Sequence, residues 1–109
     1  KAFVKNFSKN ATLKHKFSAT AAASATLKLY GCPTNTSTEI VGNTYFEITV
    51  NGSKITVNDT VKFNSGITAW TIQCMDYGSI SVAKGENEVS IKVITANELI
   101  FFDRVEVCF

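Results

Sequence analysis

The chain is poor in the features that mark strongly charged, metal-bound or membrane-spanning proteins. Charged residues make up 18% of 109 and nearly cancel, 11 Lys and Arg against 9 Asp and Glu. A net charge of +2 supplies no field that favours nucleic acid or an anionic membrane, so neither partner is expected. No apolar run approaches the roughly 18–20 residues that a membrane-spanning helix requires. There is one histidine, His15, on the same strand parity as Leu13 and Phe17, which reads as a core or rim residue rather than an acid–base catalyst. The three cysteines, Cys32, Cys74 and Cys108, match no zinc spacing and cannot all pair within one chain, though one disulfide remains open. Cys74, inside the apolar segment from Trp70 to Cys74, is expected to be a small buried hydrophobe. The six glycines are scattered one per turn and form no phosphate cradle.

What is present is period-two alternation, the signature of strands with one buried face. Leu13, His15 and Phe17 oppose Thr12, Lys14 and Lys16; Ala25, Leu27 and Leu29 oppose Thr26, Lys28 and Tyr30. Phe46, Ile48 and Val50 alternate with Tyr45, Glu47 and Thr49 before Asn51-Gly52, a strong hairpin signal, with Ile55-Thr56-Val57 as the returning strand. Val61 to Phe63, Trp70 to Met75 and Ile80 to Val82 are further strand candidates, and Lys84 to Asn87 reads as a turn. The Ala-rich stretch from Ser18 to Ala25 is too short for a convincing helix and is read as a strand-to-strand turn. One domain spanning residues 1–109 is expected, all-β, an antiparallel β-sandwich of jelly-roll type with about eight to nine strands. Asn-x-Ser/Thr triplets such as those at Asn10, Asn35, Asn51 and Asn58 are expected by chance in a chain so rich in these residues.

The closing segment carries a resemblance. Gly85-Glu86-Asn87 launches a strand with Val89, Ile91 and Val93 on one face; a break at Ala96-Asn97 follows, and the next strand places Asp103 after two aromatics and ends Val105-Glu106-Val107. This pattern resembles the closing hairpin of carbohydrate-binding module families 6 and 35. Phe3 to Phe7 with Ala11 to Leu13, Ala25 to Leu29 and Phe46 to Gly52 follow the order of that family's earlier strands, so the resemblance covers nearly the whole chain. It implies a galactose-binding-like sandwich and a polysaccharide or oligosaccharide ligand. It also implies a secreted or cell-surface location, with the chain excised from a larger protein whose neighbouring domains it tethers to a glycan.

Sugars offer apolar C–H faces and rings of hydroxyls, so their sites pair an aromatic platform with hydrogen-bonding side chains. The resemblance points to Trp70 beyond the Asn64-Ser65-Gly66 turn, against the alternative that Trp70 packs in the core beside Ile72 and Cys74. The family's hydroxyl-bonding Asn would fall at Phe101, leaving Asn97 as the nearest substitute, and its first-strand aromatic would fall at Asn6. Tyr30, Tyr45 and Tyr77, read as outward-looking or in turns, could supply a platform on the sandwich face instead. Asp103 matches the position where related modules use a carboxylate for structural calcium or for bracing the site; no cofactor is otherwise required. The expected function is therefore non-catalytic glycan binding. A structural spacer or adhesin-type sandwich without a sugar site is the alternative, and scattered carboxylates leave an enzyme as a third reading.

Overall fold

The computed structural model describes residues 11–33, 39–57, 60–66, 71–94 and 100–109, and nine strands and one helical turn lie among them. In chain order these are β1 (Thr12–Ala19), β2 (Ala23–Pro33), β3 (Ile40–Val41), the turn α1 (Gly42–Tyr45), β4 (Phe46–Val50), β5 (Ser53–Ile55), β6 (Lys62–Phe63), β7 (Gln73–Val82), β8 (Gly85–Val93) and β9 (Ile100–Cys108). They form a four-stranded sheet in the order β1-β8-β4-β5, a three-stranded sheet β7-β2-β9 and a small pair β3-β6. Every pairing is antiparallel, as the alternation anticipates.

Alternation places one apolar row from each strand into a shared core. Leu27 and Leu29 of β2 meet Ile48 of β4 and Val89, Ile91 and Val93 of β8 in a single buried cluster. β3 and β6 close one side of it with Ile40 and Phe63, which face each other in register and are fully buried. The stretch 18–25, read as a turn, forms no helix; the turn itself is confined to residues 20–22, since β1 runs to Ala19 and β2 begins at Ala23. Asn51 and Gly52 form the β4–β5 turn at φ 50° and 85°, the left-handed region this pair tolerates. The returning strand lies earlier than the expected Ile55-Thr56-Val57: it starts at Ser53, directly after the turn, and stops at Ile55. The helical turn α1 was not anticipated; Gly42 sits in it because its backbone donates to the Val61 carbonyl at 2.9 Å while a Cβ there would strike the Tyr77 hydroxyl.

Strand β7 departs most from the sequence reading. The segments around Met75 and around Ile80 are one continuous strand, and its register against β2 slips between Leu27 and Lys28. Leu27 pairs with Gly78 and Lys28 with Asp76, so Tyr77 is the extra residue, and Gly78 beside it takes a positive φ of 77°. The bulge lets Met75 and Tyr77 point inward on one side of it and Ile80 and Val82 on the other. Tyr77 is therefore buried, not outward-looking, and Cys74 is exposed, not buried; Ile72, its same-parity neighbour, is exposed as well. Among the described residues the buried thiol is Cys32, and all three cysteines are unpaired with one another.

The corner between the sheets, where β7 gives way to β8, rests on Asn87. Its side chain is 1% exposed and uses its full bonding capacity. Oδ1 accepts the Ala83 N–H at 2.9 Å and the Asn51 Nδ2–H at 2.8 Å, and Nδ2 donates to the Ala83 carbonyl at 2.9 Å and the Gly85 carbonyl at 3.0 Å. Asn51 in turn accepts the Glu88 N–H through Oδ1 at 2.8 Å, which fastens the β4–β5 turn to β8. Asn87→Ala removes four hydrogen bonds at a buried position and should lower unfolding free energy by roughly 2–4 kcal/mol in chemical denaturation. A loss below about 0.5 kcal/mol would mean that the corner holds without this side chain.

Candidate functional site

The outer face of the three-stranded sheet gathers the chain's hydrogen-bonding side chains into ordered rows. β2 is central, and its outward residues Ser24, Thr26, Lys28 and Tyr30 form a column roughly 20 Å long at about 3.3 Å per residue. Register then dictates the rows. Tyr30 lies between Cys74 and Arg104, Lys28 between Asp76 and Glu106, and Thr26 between Ser79 and Cys108. A shallow cleft of about 340 Å³ opens at the lower part of this column, lined by Ser24, Thr26, Lys28, Asp76 and Ser79 with Cys108 and Phe109.

Each charged group on this face has a distinct employment. The Arg104 guanidinium lies 3.8 Å over the Tyr30 ring, and its Nε donates to Glu106 at 2.8 Å. Asp103 completes the clamp through Arg104 Nη1. Asp103 is there because β9 also slips register, Tyr30 facing Arg104 but Gly31 facing Phe102, so Asp103 is an extra residue beside the guanidinium. The two carboxylates raise the Arg104 pKa, Glu106 foremost. Asp76 accepts the Gly78 N–H at 2.8 Å, satisfying a backbone donor that the β7 bulge frees. Lys28 has no ion-pair partner within 4 Å among the described residues, although carboxylates flank it in both ladders.

The anticipated site residues separate. Tyr30 is on the outer face, but Arg104 covers one side of its ring. Tyr45 ends α1 and packs half-buried against the core, its carbonyl accepting from the Ile94 N–H at 2.9 Å. Tyr77 is inside, where burial raises its pKa above that of a free phenol. The three tyrosines thus form no common platform. Trp70 and Asn97 lie outside the described residues, as do Asn6 and the stretches 34–38 and 95–99. Asn64 and Gln73 bond to each other, Asn64 N–H donating to Gln73 Oε1 at 2.7 Å and Gln73 Nε2 donating to the Asn64 carbonyl at 3.1 Å. The Asp103 carboxylate pairs with Arg104, and among the described residues no three acidic, His or Cys side chains converge there. Lys28, Thr26, Ser79 and Glu106 are the face residues that sequence reasoning did not single out. Their outward parity was legible, but the cross-strand register that assembles them was not.

No family model matches the chain, and no curated protein matches it. Solved structures do. A family 35 carbohydrate-binding module from an environmental isolate superposes with a TM-score of 0.72 at 21% identity, over 94% of this chain and 69% of that one. A family 35 module from Cellvibrio japonicus gives 0.70 at 24% identity, over 95% and 70%. A ruminal endo-beta-1,4-mannanase gives 0.63 at 19% identity, with 93% of this chain matching 18% of the enzyme. The chain shares the β-sandwich fold of these modules, as the closing hairpin suggested.

Tyr30 offers a direct check on the geometry of the face. The neighbouring Cys74 thiol, reinforced by burial and by Glu106, pushes its pKa from 10.0 up to about 12. All of these favour the protonated phenol, so removing the first should ease proton loss. Cys74→Ala is expected to move one phenolate transition to lower pH in an ultraviolet titration, and an unchanged titration would show that the thiol has no such part.

Proposed function

We propose that the protein is a non-catalytic carbohydrate-binding module whose glycan lies along β2 on the outer face of the β7-β2-β9 sheet. The observation that carries this reading is the sandwich shared with family 35 carbohydrate-binding modules over 94–95% of the chain. The face described above supplies the chemistry: a column of hydroxyls, an ammonium with no ion-pair partner among the described residues, and carboxylates at ladder spacing, beside a cleft open to solvent. Hydroxyl groups of a sugar accept from Lys28, Thr26 and Ser79 and donate to Asp76 and Glu106.

Arg104 governs the contribution of Tyr30. With the guanidinium over the ring, stacking is limited to what remains uncovered, and recognition rests on hydrogen bonds of about 1 kcal/mol each. Reduced by ordering costs, this gives millimolar to micromolar affinity, about −4 to −8 kcal/mol. Such a module works by tethering a larger extracellular protein to a repeating polymer, where effective concentration compensates for weak single contacts. The match to a small part of a mannanase is consistent with that arrangement. His15 lies half-buried on the inner side of β1, stacked on Phe17 at 5.7 Å, apart from the outer-face carboxylates, which supports binding over turnover.

The covered Tyr30 ring also favours a second reading, a structural spacer with this fold and no sugar site. A glycan array separates the two. Binding to a defined polysaccharide class is expected, with Lys28→Ala weakening it by roughly five- to tenfold while circular dichroism stays unchanged. Silence across plant, microbial and host glycans would leave the spacer.

A further inference from the structure

The Asn51-Gly52 turn joins two properties: a dipeptide prone to cyclisation and a carboxamide held at both ends by the fold. We propose that Asn51 is a site of spontaneous deamidation that the native fold suppresses, and whose conversion unlocks the corner held by Asn87. In the reaction the Gly52 nitrogen attacks Asn51 Cγ. The new N–Cγ bond forms as the Cγ–Nδ2 bond breaks, and the Gly52 proton leaves with Nδ2 as ammonia. Water then opens the succinimide at either carbonyl to give an aspartyl or isoaspartyl residue. Water is the sole co-reactant.

The nucleophile is unhindered. Both turn residues are exposed, and Gly52 has open space where a side chain would sit, with nothing within 4 Å. The electrophile is not free to meet it. Nδ2 donates to Asn87 Oδ1 and Oδ1 accepts from Glu88 N–H, both at 2.8 Å, while the Asn51 N–H donates to the Glu88 carbonyl at the same distance. Swinging the carboxamide toward Gly52 breaks both side-chain bonds, so cyclisation in the folded protein waits on local opening of the turn.

The product does not fit the site it came from. Aspartate places a carboxylate oxygen where Nδ2 was, against an Asn87 oxygen that already accepts the Ala83 N–H. An acceptor then faces an acceptor beside a buried side chain. The isoaspartyl form adds a main-chain carbon to a two-residue turn and disturbs the Val50–Ser53 pairing. Asn51 also lines a cleft of about 560 Å³ between this hairpin and β7, so conversion puts a negative charge at its rim. One event therefore loosens the β4–β5 turn and the β7–β8 corner together.

The test uses the whole chain, incubated at mildly alkaline pH with and without denaturant, with conversion at Asn51 followed by peptide mass mapping. Folded protein should convert at least about tenfold more slowly than unfolded protein. The variant N51D should melt about 4–8 °C below the unaltered chain. Equal conversion rates in the two states, or an N51D melting point equal to that of the unaltered chain, would overturn the proposal. The rate comparison needs no variant, so it decides the question even where N51D does not fold.

Discussion

A strand that leaves one sheet of a sandwich for the other must turn its backbone groups away from their ladder, and something has to replace the hydrogen bonds it gives up. Between β7 and β8 that replacement is the Asn87 carboxamide, which answers an N–H and two carbonyls of the corner and the side chain of a second turn. A serine hydroxyl or a carboxylate cannot do the same, since two donors and two acceptors are needed from one side chain. Both sheets depend on the result. β8 sits between β1 and β4, and β7 flanks β2, so the corner fixes the relative setting of the layers that enclose Leu27, Ile48 and Ile91.

Much of this architecture was legible in the chain because most strands keep a strict alternation of one buried face. In β2, β4 and β8 the residues expected inside are the residues found inside, and the Asn51-Gly52 turn is where its backbone preferences put it. β7 was not legible in the same way. A parity rule extrapolates through a strand and has no means of registering an extra residue, so Tyr77 and Cys74 were assigned to the wrong sides of the sheet. Gly78 was the available signal, an isolated glycine inside a strand pattern.

The candidate face was legible in part. That Tyr30 and Lys28 look outward follows from Leu27 and Leu29 looking inward. That Tyr30 would sit under Arg104, or Lys28 between Asp76 and Glu106, depends on pairings between residues 48 to 78 positions apart in sequence, which no local pattern encodes. Asp103 illustrates the gap. As a sequence position it resembled a calcium ligand, but the slip in β9 turns it into a counter-charge for its own neighbour.

The β7 bulge bears on how the molecule keeps to itself. Among the described residues β7 lies at one end of its sheet, ten residues long, with one side of its backbone turned away from β2. A straight strand of that length in such a position is a template on which another copy could zip, the first step toward aggregation. The kink at Tyr77 and Gly78 divides that template into two short, mutually twisted pieces. The same irregularity that carries the tyrosine inward thus guards a crowded solution against edge-to-edge association.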